Sequence, residues 1–377
     1  MNWRRARAVA RKEFLHILRD RRSLALALLL PFVMLLLFGY ALSLDVDRIP
    51  TVIYDQDKTP ESRNLIRQFS GSRFFEVIDA AENYARIDRD IVKSRALLAL
   101  VIPTTYSSDL LSGREASVQL ILDGSDSNTA SIAVGYADAL VQAYATELRS
   151  EAQDKLGAGT FKSPVETRIR VWYNTDLKSR NYIVPGLIAV ILMIIAALLT
   201  SLTIAREWET GTMEQLLSTP VRPSELVFGK LSAYFALGIT DMLICLFIGV
   251  VVFGVPLKGS VLLLFGSSCV FLFGALCWGV MLSASTRSQL LAYQLGTLTS
   301  FLPAFLLSGF IYSIQNMPKA IQLITYLVPA RYFIVILKGI FLKGAGLRIF
   351  AVELGFLFLY AVVVFILASR KLRQKIA

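Results

Sequence analysis

Long apolar runs alternate with one extended mixed segment along this chain. The apolar runs occupy residues 23–44, 182–205, 226–254, 261–284, 289–312 and 348–368. Each reaches the roughly 20 residues that a helix needs to cross the hydrocarbon core of a bilayer, and 289–312 is the most polar of them. The pattern predicts an α-helical polytopic membrane protein with six transmembrane helices. A further apolar stretch, 320–342, carries Pro329 and Arg331 at its middle. It reads as two short helices split at Pro329, within an outer-face re-entrant region 313–347. Irregular backbone is tolerated there only under protein or water.

Residues 45–180 follow a different rhythm. Runs at 50–54, 74–79, 96–102, 117–122 and 167–173 predict strands, separated by helical patterns at 61–70, 82–94, 104–112 and 127–155. Strands alternating with helices predict an α/β domain whose sheet is at least partly parallel. Both of its ends lead into apolar runs, so it is an insertion between transmembrane helices 1 and 2. The stretch DGSDSNTA (123–130) reads as a turn and a helix start, capped by Asp126 or Ser127.

Composition supports the membrane reading: 55% of the 377 residues are hydrophobic, only 18% are charged, and the mean hydropathy is +0.58. The net charge of +11 is not a nucleic-acid signature, because residues 45–180 hold 17 basic and 20 acidic side chains. The excess lies beside the spans. Arg4, Arg5, Arg7, Arg11, Lys12, Arg19, Arg21 and Arg22 precede the first, and Arg370, Lys371, Arg373 and Lys375 follow the last. Positive charge beside spans marks the cytoplasmic side. Both termini and residues 206–225 are then cytoplasmic, and 45–180 are extracytoplasmic. Residues 1–22 read as a cytosolic amphipathic interfacial helix with Trp3, Ala6, Ala10, Phe14, Ile17 and Leu18 recurring at spacings of three and four. Cys245, Cys269 and Cys277 all lie in spans, and His16 is the single histidine. Neither set forms a metal or acid–base constellation, and no catalytic residue is expected.

The segment REWETGTMEQLLSTPVRPSE (206–225) is polar and acidic between two very apolar runs. Residues 207–218 can make about three helical turns, with Trp208, Thr212 and Gln215 on one face and Met213, Leu216 and Leu217 on another. Gly211 costs about 1 kcal/mol inside a helix, so it marks a bend or the close approach of another backbone. Pro220 and Pro223 end the segment, and Ser224 with Glu225 opens the next helix. A plain turn needs fewer residues; Trp, Met and Leu beside acids suit a docking surface. No G-x-x-x-x-G-K-[ST] motif occurs, so ATP phosphates have no cradle of that kind here.

The same segment resembles the E-x-G-T-[ML]-E-x-[LI] signature of ABC-2 type permeases, the transmembrane subunits of type V ABC exporters. Glu209, Gly211, Thr212, Met213, Glu214 and Leu216 carry the match, followed by Ser218, Thr219, Pro220, Glu225 and Lys230. Lys12-Glu13, Arg19-Asp20, YIVPG (182–186), LSGFIY (307–312) and MPKAIQLITYLVPARYF (317–333) extend the likeness over nearly the whole chain. It is strongest to bacterial inner-membrane drug-export permeases with a large extracytoplasmic domain. The resemblance implies that residues 206–220 form a coupling helix seated in a separate ATP-binding subunit. Glu207, Trp208, Glu209, Gly211, Thr212, Met213, Glu214 and Leu217 would make that contact. It implies no cofactor on this chain, with ATP and Mg held by the partner ATPase. It also implies a second permease copy or a sister permease, with a periplasmic adaptor and an outer-membrane channel as candidate partners besides membrane lipid.

Asp241 lies near the middle of the third run, where an ionisable group costs roughly 2.5–3.5 kcal/mol. It reads either as part of a translocation path, with Tyr293, Gln294 and Thr297, or as a packing contact. Glu353 would pair with Arg348 or Arg331. The leading function is the permease half of an ATP-driven exporter of an amphipathic substrate; the alternative is a signal or mechanical transmitter that moves nothing.

Overall fold

The computed structural model describes residues 2–42, 48–155, 173–174 and 178–376. The chain divides into two compact units, one of residues 1–43 with 171–377 and one of residues 44–170.

The first unit begins with α1 (Trp3–Arg19), capped by Asn2, whose side chain accepts from the Arg4 amide at 3.1 Å. Its protein-facing stripe is Ala6, Val9 and Glu13. Phe14 and Leu18 point away and are exposed, and Trp3 is exposed apart from its edge-to-face contact with the Phe228 ring. The expected single apolar stripe is therefore two faces. Small side chains allow close packing, while Phe14 and Leu18 stay outside. Helix α2 (Arg21–Ala41) follows, and its Leu35 is fully buried.

The second unit holds a four-stranded sheet ordered β2-β1-β3-β4. The strands are β1 (Ile49–Asp55), β2 (Phe75–Ala80), β3 (Leu98–Ile102) and β4 (Gln119–Leu122). β1 pairs in parallel with β2 and β3, and β4 runs antiparallel to β3. The connections are α3 (Pro60–Gly71), α4 (Tyr84–Val92) and α5 (Tyr106–Leu111), and α6 (Ser127–Lys155) follows β4. Period-two alternation splits the sheet into two cores. Ile49, Ile53, Leu98 and Leu100 pack with Leu65, Phe69 and Ala137, while Val52, Ala99 and Val101 pack with Ile87. Asp126 accepts from the Thr129 amide and caps α6. The strand expected at 167–173 lies, apart from Tyr173, outside the described residues.

The remaining helices complete the first unit. Helix α7 (Ser179–Ser201) is buried along most of its length and is flanked by α2, α10 and α12, with α11 and α14 also against it. The others are α8 (Thr203–Glu209), α9 (Thr212–Leu217), α10 (Pro223–Phe247), α11 (Val261–Ser285), α12 (Gln289–Leu306), α13 (Lys319–Thr325), α14 (Pro329–Lys338) and α15 (Ala351–Ile376). Among the described residues four helical stretches are long and apolar enough to cross a membrane: 179–209, 223–252, 261–285 and 351–372. The stretches expected at 23–44 and 289–312 correspond to α2, whose apolar part is Ala27–Ala41, and to α12, which has 18 residues. Residues 319–325 and 329–343 form a pair bent by 81°. The bend follows from Pro329, which cannot continue a preceding helix. All three cysteines are free thiols, with Cys245 and Cys277 buried.

Because Leu100 is fully enclosed in β3, Leu100→Ala is expected to cost about 2–5 kcal/mol of local stability. Limited proteolysis of the full chain in detergent checks this. Cleavage within 49–155 should accelerate while the helical unit keeps its wild-type resistance.

Candidate functional site

The candidate site is the junction of α1, α8, α9 and α10. Gly229 on α10 has Val9 and the Ala6 carbonyl so near that a β-carbon would come within 2.7–2.8 Å of them. Glycine is thus required for α1 to lie against α10. At the far end of the contact the Trp3 and Phe228 rings meet edge to face at 5.5 Å.

This approach brings Glu13 into the protein beside Lys230. The Lys230 ammonium is 2.8 Å from Oε1 of Glu13 and 2.8 Å from Oε1 of Glu207. The Lys12 ammonium approaches the same Glu207 oxygen at 3.2 Å. Lys230 is only 1% exposed and Glu207 only 7%. Removing such charges from water costs several kcal/mol per ion, so the cluster exists only while all partners are in place. Among the described residues Glu207 Oε2 has no hydrogen-bond partner.

A second tie sits at the start of α1. Glu225 accepts from the Arg222 amide at 3.0 Å, closing the first turn of α10, and from the Asn2 amide at 2.6 Å. Ser224, expected to open this helix, sits inside its first turn, because the helix begins at Pro223 and Arg222 is the cap. Proline suits that first position, where no amide donor is needed. Arg5 donates to the Pro220 carbonyl.

Helix α8 is anchored to two more helices. The Ser283 hydroxyl on α11 accepts from the Ile204 and Ala205 amides, both at 2.9 Å. Glu209 accepts from the backbone and side-chain amides of Gln289. Its carboxylate therefore sits at the N-terminus of α12, where the helix dipole favours negative charge. The Arg287 guanidinium lies 5.0 Å over the Trp208 ring.

Residues 207–218 do not form one helix of three turns. Gly211 has φ +72°, a left-handed conformation that separates α8 from α9, and a β-carbon there would meet nothing within 4 Å. Gly211 is thus a bend, not a close approach. The bend shifts the phase of the following turns. Met213 turns inward and is fully buried, and Glu207 joins the ion cluster. Gly211, Glu214 and Gln215 remain exposed at the tip, with Thr212 half-buried. Leu217 ends α9, and its side chain lies outside the description.

The other candidates do not converge. Asp241 on α10 is fully buried, and among the described residues both its carboxylate oxygens lack a hydrogen-bond partner. Tyr293 and Gln294 on α12 are exposed, and Thr297 bonds back to the Tyr293 carbonyl at 2.9 Å. No hydrogen bond links them to Asp241 among the described residues. Glu353 pairs with neither Arg348 nor Arg331 among the described residues, and its Oε2 has no partner. Arg331 is instead engaged by Thr325 and the Tyr326 ring, 3.9 Å away.

The pairing of Glu13 with Lys230 is the feature sequence reasoning missed. A signal was present, since Glu13 falls four residues after Val9 and seven after Ala6, on the stripe of small residues.

Four apolar helical stretches long enough to cross a membrane, tied at one end to a short exposed polar element, describe a multi-pass membrane protein. Residues 21–370 match the model of the family described as ABC-2 family transporter protein. Over 377 residues the chain is 34% identical to the "Probable multidrug ABC transporter permease YbhS" of Escherichia coli, covering 100% of this chain and 98% of that one. It is 32% identical to YbhR, described in the same words, over 90% of both chains. It is 28% identical to the "Inner membrane transport permease YhhJ" over 80% of this chain and 78% of that one. The chain belongs to the ABC-2 transporter family.

Lys230→Met would leave buried Glu13 and Glu207 with only the largely exposed Lys12 as a cation. It is expected to destabilise the full chain by about 3–5 kcal/mol. Adding Glu13→Gln and Glu207→Gln should return most of that loss. Thermal melts of the single and triple variants in detergent read both effects, and a triple variant no better than the single one would contradict the cluster.

Proposed function

We propose that this chain is the membrane-spanning permease subunit of an ATP-driven exporter, with ATP and Mg bound and hydrolysed by a separate ATP-binding subunit. The observation that carries this reading is the exposed tip of Gly211, Glu214 and Gln215, held on a base of buried charges. A loop with no partner would not need Glu207, Lys230 and Glu13 beneath it. The relatives' names place them among ABC transporter permeases, which fits a chain that brings a docking element and no phosphate-binding loop.

In this reading six helices cross a bacterial inner membrane, with α2 and α12 joining the four long apolar stretches, and both termini are cytoplasmic. Residues 45–180 are extracytoplasmic, and 313–347 are re-entrant at the outer face. A second copy or a sister permease completes the pore. A periplasmic adaptor and an outer-membrane channel extend the path where the envelope has two membranes. The substrate is drug-like, lipidic or otherwise amphipathic. Trp208, Glu209 and Thr212 flank the docking tip, while Glu207 and Met213 support it from inside.

Glu214→Arg reverses a charge at the tip without touching the buried cluster. It is expected to lower co-purification of the ATP-binding subunit and coupled ATP hydrolysis at least about tenfold, with normal membrane insertion. Wild-type pull-down and hydrolysis would remove the docking assignment. Hydrolysis with no flux of any tested compound in vesicles would instead indicate a transmitter.

The unpartnered carboxylate of Asp241 gives a second test. Asp241→Asn is expected to change export of cationic compounds several-fold more than that of neutral ones, measured as transport in inside-out vesicles. An equal effect on both classes would make Asp241 a packing residue.

A further inference from the structure

Helix α1 has a side that its contact with α10 leaves bare. Successive side chains turn by about 100° around a helix. With Ala6, Val9 and Glu13 turned inward, Arg4, Arg7, Arg11, Phe14, Leu15 and Leu18 all fall in the opposite half, and all six are exposed. Phe14, Leu15 and Leu18 are 46%, 44% and 48% exposed, so three large apolar side chains stand in the open beside three guanidiniums. Glu13 is the only acid in α1, and it is spent on Lys230. Among the described residues no carboxylate pairs with Arg4, Arg7 or Arg11. The rest of the helix surface is engaged differently. Lys12, Glu13, His16 and Ile17 border a cavity of about 600 Å³ that Lys230, Tyr234 and Leu237 line from α10. None of the three arginines lines that cavity.

Water satisfies the guanidiniums but not the apolar side chains, and hydrocarbon does the reverse. The head-group boundary of a bilayer meets both needs, because long cationic side chains reach phosphates there while apolar ones enter the acyl region. The charge on this face then selects among lipids. A zwitterionic head brings its own cation with its phosphate. An acidic head leaves a net negative charge for a face that holds three cations and no acid. An arginine near an acidic leaflet contributes about fivefold in binding, and its planar fork matches phosphate. We propose that the outward half of α1 binds acidic phospholipids, with Arg4, Arg7 and Arg11 on their phosphates and Phe14, Leu15 and Leu18 against the upper acyl chains. This rests on reading residues 1–22 as an interfacial helix and adds to it the charge of the lipid. Because the other side of α1 carries Glu13 to Lys230, an acidic leaflet holds the ion cluster together from outside and links the seating of the tip to lipid charge.

The test uses the purified full chain, with Leu15 replaced by the photoreactive p-benzoylphenylalanine, in nanodiscs of phosphatidylglycerol and phosphatidylcholine in equal amounts. Illumination attaches whatever lies against the outward face, and mass spectrometry reads the head group of the attached lipid. Phosphatidylglycerol adducts should exceed phosphatidylcholine adducts about tenfold, and 1 M salt, which shortens the screening length to about 3 Å, should remove most of the excess. Equal adducts with both lipids would overturn the proposal and leave the interfacial helix standing; no lipid adduct at all would overturn both. Loss of the lipid adduct to a protein adduct when the ATP-binding subunit is added would give this face to that subunit instead. Arg4→Gln, Arg7→Gln and Arg11→Gln together break no contact within the chain and should bring the two lipids to within about twofold; a preference that survives them would place the acidic lipid elsewhere. Phosphatidylglycerol retained by the chain with Leu15 intact, against that triple variant, is read by native mass spectrometry and decides the same question without the photoreactive residue, equal retention again overturning the proposal.

Discussion

One buried ammonium sets the arrangement of everything around it. Lys230 lies in a helix with a strongly apolar sequence and is almost wholly out of water. Its charge is tolerable only because Glu13 and Glu207 each place an oxygen 2.8 Å away. Those carboxylates come from the start of the chain and from the far side of a long helix, so satisfying one side chain fixes three segments together. Such a cluster adds little net stability over a well-packed apolar one, since desolvation offsets much of the attraction. Its consequence is registry: α1 cannot slide along α10, nor α8 turn away, without leaving a charge unmet. Glu225 holding the Asn2 amide and Arg5 holding the Pro220 carbonyl add further ties near the start of α1, and together these ties also restrain its rotation.

From that base, α8 distributes its contacts widely for a helix of seven residues. Its first amides reach Ser283 on α11, its last acid reaches the start of α12, and Glu207 reaches α10. A displacement of the exposed tip would therefore be delivered to three long helices by polar contacts and not by apolar packing alone. The bend at Gly211 matters for the same reason. It turns Met213 into the core, so that the tip is seated on the protein as well as hinged from it.

The legible and illegible parts of the chain separate along a physical line. The strand read at 96–102 and the helix read at 61–70 lie within two residues of β3 and α3, because alternation and 3.6-residue periodicity are local and each element buries one face against its neighbours. The break at Pro329 was visible because proline acts on its own backbone. The orientation of Glu207 and Met213 was not. A helical wheel over 207–218 assumes constant phase, and one left-handed residue resets it. The partnership of Glu13, Glu207 and Lys230 spans more than two hundred residues, and no local period reports it. Of the two arginines expected for Glu353, Arg348 and Arg331, the second is taken up within the bend by Thr325 and Tyr326. Asp241 and the polar residues of α12 were grouped because each is polar in an apolar run, and no hydrogen bond joins them among the described residues.

Asp241 gains a different context from helical geometry. It follows Lys230 by 11 residues, close to three turns and roughly 16 Å along the axis, so the two project from nearly the same side of α10. Tyr234 and Leu237 fall between them on that stripe, and both line the cavity with Lys230. One face of one helix thus carries a buried cation with its full complement of acids, then the cavity wall, then a buried carboxylate with none. The first charge is locked to the ties with α1 and α8, and the last has no hydrogen-bond partner among the described residues. A shift of α10 transmitted from the tip would move both together.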